Sequence, residues 1–238
     1  MERRYDDMRD NLRAVEESMR EACLSAGRDP ADVELLAVTK TVPPERINAA
    51  IKAGVRGIGE NRVQEFLQKR DDLLLEGASV HLIGHLQTNK VSQIVGKVDM
   101  IESIDSLRLA QAVDAASAKL GRVTDVLVEV NIGREETKSG VFAEQLEGFL
   151  HDISNLSGLK VRGLMTVPPI LSEECEKRRI FARMYKLFID IRAKNIDNIT
   201  MDVLSMGMSG DYREAILEGS TQVRVGSAIF GRRSYPPR

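Results

Sequence analysis

Short apolar runs alternate with amphipathic stretches along the whole of this 238-residue chain. The runs are LLAVT (35–39), VRGIGE (55–60), VHLIG (80–84), DMIESID (99–105), DVLVEVN (125–131), VRGLMTV (161–167), VLSMG (203–207) and QVRVGSAIF (222–230). Such runs suit strands buried in a parallel sheet. Between them, 44–53, 61–75, 106–119, 143–155 and 172–194 carry helical spacing. A first helix precedes them all: Tyr5, Met8, Leu12, Val15, Met19 and Cys23 fall three or four apart, and Gly27 ends it. In 172–194 the apolar stripe is Cys175, Phe181, Met184, Phe188 and Ile191, with Ser172 placed to cap. Eight strands alternating with helices in this length predict a single (β/α)8 barrel over residues 1–238, with an extra N-terminal helix. An open doubly wound sheet shows the same alternation, and only the strand count favours closure.

Charge and composition narrow the partners. The 34 basic and 36 acidic residues leave a net charge of −2, which supplies no basic excess for nucleic-acid phosphates. Cys23 and Cys175 lie far apart in helical patterns and read as core thiols of a reducing compartment. MERRYDDMRD is too charged for a signal peptide, and no apolar run approaches a membrane span. A cytoplasmic protein is expected, away from membranes. No exposed apolar seam stands out, so a monomer is the default.

In a barrel, active sites gather at the C-terminal ends of the strands. Lys40 lies just past the first run, and Pro43–Pro44 then opens a helix. A lysine there either snorkels to solvent or is held for its amine. Met208–Ser209–Gly210–Asp211 and Gly226–Ser227 stand where the last two strands give way to helix, the usual place for a phosphate in barrels. Most Gly-Ser turns only cap helices. With Lys40 on the same rim, however, the set suits an amine that condenses with a phosphorylated aldehyde or ketone. His81 and His85 are four apart, about 13 Å along a strand, with no nearby Cys or Asp to complete a metal set. They read as packed or hydrogen-bonding side chains.

The ordered motifs LLAVTK, GIGENRVQE, HLIGHLQTNK, VNIGREETKSG, RGLMTVPP, LSMGMSGDYREAI and VRVGSAIFG resemble the pyridoxal phosphate homeostasis proteins. That family is related to the N-terminal barrel of alanine racemase. The third motif departs from the family pattern: Val80 and Leu82 stand where aromatic residues are usual, and both being apolar, repacking is expected. The resemblance implies that Lys40 holds pyridoxal 5′-phosphate (PLP) as an internal aldimine. It implies that Ser209, Gly226 and Ser227 hold the phosphate, that Arg224 faces the pyridine nitrogen, and that Asn61 and Met165 line the ring. His81 is a further neighbour.

The resemblance also bears on catalysis. An arginine cannot accept the proton that a carboxylate partner keeps on the ring, so it favours a weaker electron sink. Related racemases use a tyrosine from a second, C-terminal domain, and only seven residues follow Gly231 here. The expected function is therefore a non-enzymatic PLP holder in vitamin B6 homeostasis, with PLP-dependent apoenzymes as recipients. The alternative is a low-activity racemase or a Schiff-base lyase.

Overall fold

Residues of alternating parity in each strand face opposite ways, and closure of the sheet turns that alternation into two separate interiors. The computed structural model describes residues 5–231 apart from 136 and 170. Its strands are β1 (Glu34–Val38), β2 (Gly57–Glu60), β3 (Ser79–Leu82), β4 (Met100–Ile104), β5 (Thr124–Glu129), β6 (Leu159–Met165), β7 (Ile199–Met208) and β8 (Gln222–Val225). All pair in parallel in chain order, and β8 returns to β1 with Leu36 opposite Arg224. The ring is closed, which excludes the open sheet.

The helices are α1 (Asp6–Ser25), α2 (Pro44–Lys52), α3 (Val63–Lys69), α4 (Val91–Ile94), α5 (Leu107–Lys119), α6 (Leu146–Ile153), α7 (Glu174–Arg192), α8 (Tyr212–Leu217) and α9 (Ser227–Phe230). Outward strand residues such as Ala37, Ile58, Val126, Leu164 and Val223 share one buried cluster with helix residues such as Ile47, Phe66, Val113, Leu150 and Met184. Val80 and Leu82 belong to that cluster, so the two departures from the family pattern are packed in the outer core. Inside the ring the residues are of another kind. Glu102 of β4 accepts hydrogen bonds from Ser205 of β7 and Gln222 of β8, strands that are not its neighbours, so these contacts cross the lumen.

The first helix lies against α8 and α9. It buries Met8, Leu12, Val15, Met19 and Cys23 there, as its spacing predicts. Asn11 Nδ2 donates to the Ile229 carbonyl (3.2 Å), and Arg213 Nη1 donates to Ser18 Oγ (2.8 Å). These last two barrel helices are only four and six residues long. A long helix laid over them supplies the apolar cover that they are too short to provide for each other.

Several local expectations need correction. The run 222–230 is strand to Val225 and then turns at Gly226, where the Gly226–Ser227 turn is expected, so that Ile229 and Phe230 are buried from the helix α9 rather than from a strand. The stretch 61–75 yields a helix ending at Lys69 and a single 3-10 turn at Arg70–Asp72. Cys175 is exposed rather than a core thiol, because it lies in the first turn of α7 before the stripe Phe181, Met184, Phe188 and Ile191 meets the barrel. Ser172 does not cap that helix; its N-cap is Glu173, without a side-chain cap bond. One turn of helix at Val91–Ile94 was too short to leave a periodic signal.

Gly163 is a tight point in the ring. Its φ is 154°, and a Cβ there would sit 1.8 Å from the Val203 carbonyl oxygen of β7. It sits where the β5–β6 and β6–β7 registers shift. Backbone strain of this kind is worth about 1–3 kcal/mol, before the clash is counted. Gly163→Ala should therefore lower Tm by at least roughly 5 °C, measured by far-UV circular dichroism, whereas Gly148→Ala, where nothing lies within 4 Å, should not lower it.

Candidate functional site

Lys40 emerges from β1 onto a cavity of about 660 Å³ at the C-terminal face of the barrel. Lys40, Arg46 and Arg224 line this cavity, and among the described residues no Asp or Glu does. Arg46 is paired with Asp7 of α1 (2.7 Å), so Lys40 and Arg224 are the cations that favour an anionic ligand here. Asn61, Ser209, Gly226 and Ser227 also line it. Six of the seven residues singled out in the sequence thus meet at one surface. Met165 does not: it is 1% exposed inside the ring, in register with Glu129 and Ser205, while Val167 reaches the cavity.

Two turns form one wall. After β7 the chain reverses tightly: Asp211 Oδ1 accepts from the Met208 N–H (2.6 Å), and the Asp211 N–H donates to the Met208 carbonyl (3.0 Å). Burial raises the Asp211 carboxyl above its usual range against the pull of that Met208 bond. The turn carries Ser209, whose Oγ accepts from the backbone N–H groups of Gly226 (3.1 Å) and Ala228 (3.3 Å). So the hydroxyl of one turn already lies where amides of the other converge. Gly226 lets its turn lie close against the end of β1, since a Cβ would press to 3.1 Å on both Val38 Cβ and its carbonyl oxygen. Ser227 is exposed at the start of α9. Just past β2, Asn61 also lines the cavity, and its Oδ1 is buried without a hydrogen-bond partner among the described residues.

Beneath the cavity, Arg224 is 3% exposed and makes two hydrogen bonds. Its Nη1 donates to Ser205 Oγ (2.6 Å) and its Nη2 to the Thr166 carbonyl (2.8 Å). Ser205 in turn donates to Glu102 Oε2 (2.7 Å), while Gln222 Nε2 donates to Glu102 Oε1 (2.6 Å). His81 Nδ1 is 2.7 Å from the same Oε1. Burial acts to raise the Glu102 carboxyl, but His81 and Arg224 hold it below its usual range. The same contact raises His81 against its own burial. Burial lowers Arg224, and Glu102, Glu129 and Asp211 oppose that. His81 is therefore a lumen residue bound to a carboxylate. His85 is exposed and pairs with Asp105 (3.1 Å). Among the described residues no group of three His, Cys, Asp or Glu is arranged to hold a metal ion.

Over residues 5–234 the sequence matches the family described as alanine racemase, N-terminal domain. A pyridoxal phosphate homeostasis protein of Aquifex aeolicus is 42% identical over 226 residues, which cover 95% of this chain and 98% of that protein. The chain belongs to the pyridoxal phosphate homeostasis protein family. Its fold matches the structure of PipY from Synechococcus elongatus with PLP bound, at 32% identity and a TM-score of 0.82, covering 94% of this chain and all (100%) of that one. Alanine racemase of Clostridium difficile shares the fold at 17% identity and a TM-score of 0.72, with 98% of this chain matching 58% of the racemase.

In this member of the homeostasis family, several site residues were not legible beforehand. Glu102, Ser205 and Gln222 lie inside strand runs, where the only signal was polar parity: Gln222 and Arg224 alternate with Val223 and Val225. Arg46 lies on the helix α2 and has no motif in the sequence that marks it. No helix among the described residues is long and apolar enough to cross a membrane.

Glu129, at the end of β5 behind the cavity, is a further group of this kind. Burial, helped by Asp105, pushes its pKa up to about 7, against Arg224 and His85. A raised carboxyl pKa means that the folded state binds more protons than the unfolded chain between about pH 4.5 and 7, so stability falls as pH rises through that interval. Glu129→Gln removes the titration. Its stability relative to the wild type should rise with pH by up to about 3 kcal/mol from pH 4.5 to 7.5, measured by urea denaturation.

Proposed function

We propose that this chain holds PLP in the cavity at Lys40 and serves PLP homeostasis as a non-catalytic holder. The carrying observation is that Lys40, two hydrogen-bonding turns and two arginines line one cleft that no carboxylate of the described residues enters. Bound there, PLP supplies an aldehyde that a lysine amine captures with loss of water. Ser209, Gly226 and Ser227 would take the phosphate through hydroxyl and N–H groups. Arg224 would face the ring nitrogen, and the unpartnered Asn61 Oδ1 suits a ligand hydroxyl. Met165 would contribute packing within the lumen rather than cavity wall. The residues present fit the group.

The holder reading rests on what surrounds Lys40. Removal and return of an α-proton need a base within reach on each face. Tyr212 is partly buried against the hydrophobic cluster and does not line the cavity. Tyr5 packs against the same cluster, and Tyr185 lies over Gly219, whose Cβ would meet its ring at 2.3 Å. Tyr235, the remaining tyrosine, is outside the described residues. Arg224 spends two of its nitrogens on Ser205 and Thr166, and a guanidinium does not take the ring proton. On this reading residues 1–238 act as one domain and as a monomer in the cytoplasm, with PLP-dependent apoenzymes as recipients.

Borohydride reduction of the PLP-treated protein, followed by peptide mapping, should place the pyridoxyl group on Lys40; a label mainly on Lys90 or Lys138 would overturn the site. Ser209→Ala and Ser227→Ala should each weaken PLP binding by roughly tenfold to hundredfold, the worth of one hydrogen bond to a charged group. Pyridoxal, which has no phosphate, should bind poorly and respond to neither change.

Catalysis is tested separately, by deuterium exchange at Cα of L-alanine in heavy water. Exchange should stay near that of free PLP. Turnover at enzymatic rates, abolished by Tyr212→Phe, would make the protein a racemase.

A further inference from the structure

The two threonines that flank Lys40 are fastened to a single ion cluster, buried at Glu60 and Lys69 and partly exposed at Glu65. On one side, Lys69 Nζ at the end of α3 donates to the Thr39 carbonyl (2.9 Å), and Thr39 Oγ1 donates to Glu60 Oε1. On the other, the Thr41 N–H donates to Glu65 Oε1 (2.5 Å), which also accepts from Lys69 Nζ (3.1 Å). Lys69 Nζ closes the set at 2.8 Å from Glu60 Oε1. One ammonium therefore serves two carboxylates and a carbonyl, as many partners as it has protons. Glu60 is 0% and Lys69 7% exposed, so these are charges withdrawn from water.

Such a cluster is a poor way to gain stability. Desolvating both charges offsets much of their attraction, and apolar replacements of similar volume are often as stable. What it supplies is direction. Thr41 has a φ of 62°, a left-handed conformation that a β-branched residue seldom adopts. Its N–H is held in that pose by Glu65. The cluster thus fixes the backbone both before and after Lys40, and it does so from the end of β2 and from helix α3 rather than from the strand that leads into the lysine.

We propose that Lys69, acting with Glu60 and Glu65, is a positioning residue for Lys40: it sets the backbone from which the Lys40 amine meets an aldehyde in the cavity. The proposal rests on the PLP-holding reading. Lys69 does not line the cavity. Its loss should therefore spare non-covalent binding and slow only the covalent capture, because displacement of a reacting group by about an ångström is enough to cost large factors in rate.

The test compares two ligands on the full chain. PLP carries the aldehyde; pyridoxine 5′-phosphate has the same ring and phosphate with an alcohol in its place. Lys69→Met should bind pyridoxine 5′-phosphate within about twofold of the wild type by calorimetry. It should capture PLP about 10–100-fold more slowly, read as the borohydride-trapped fraction over time. Removing the ammonium alone strands Glu60, so Glu60→Gln/Lys69→Met, which removes both charges, is the second variant. It should fold and show the same split, and Lys69→Arg should recover part of the rate. Wild-type capture rates in the double variant would overturn the proposal, and so would an equal loss of both ligands. If the wild-type protein itself trapped no PLP, the holding reading would fall and this proposal with it. Trapping that is normal in the wild type and unchanged in the variants removes the proposal alone.

Discussion

The carboxylate of Glu102 is the charge around which the lumen is arranged. It is 0% exposed, and a bare carboxylate there would cost several kcal/mol. Side chains from β3, β7 and β8 satisfy it: His81, Ser205 and Gln222. Ser205 passes the interaction on to Arg224, whose second nitrogen holds the Thr166 carbonyl at the end of β6. Strands that are distant around the ring are thereby tied through its middle. The floor of the cavity is a consequence of this chain of bonds. Moving Arg224 would unsettle Ser205, and moving Ser205 would leave part of a buried carboxylate unpaired.

The two interiors explain what could be read from the sequence. The outer one is apolar, and its spacing announced itself: the stripe Met8, Leu12, Val15, Met19 and Cys23 is buried as its period requires. The strand runs were likewise legible, because every one keeps apolar residues on its outward face. The inner one leaves only the polar alternation of Gln222 and Arg224, since Glu102 and Ser205 look like interruptions of a strand. Helix ends were the weakest part of the reading. Cys175 and Ser172 were misassigned because a helical pattern does not say where the helix first touches its neighbour.

The site divides along the same line. Residues at strand ends, Lys40, Asn61, Ser209, Arg224, Gly226 and Ser227, were recognisable from position and motif, and they line one cavity. Residues that act from elsewhere were not. Lys69 is the last residue of a helix and looks like a solvated charge; only the folded chain brings it within 2.9 Å of the Thr39 carbonyl, 30 positions away. Met165, which the resemblance puts against the ring, lies by strand parity in the lumen beside Glu129 and Ser205.

The Ser209 hydroxyl, which accepts the N–H groups of Gly226 and Ala228, has a bearing on release. A binding site whose donors point into empty space must leave them stranded each time its ligand departs, at about 1–3 kcal/mol for each buried group. Here the amides of Gly226 and Ala228 already have a partner in Ser209 Oγ. On the proposed reading an arriving phosphate meets a hydroxyl and amides that are already joined across the two turns, and a departing one leaves them joined. The wall needs neither to order on arrival nor to collapse on departure. That symmetry suits a reservoir that must fill and empty with the same ease.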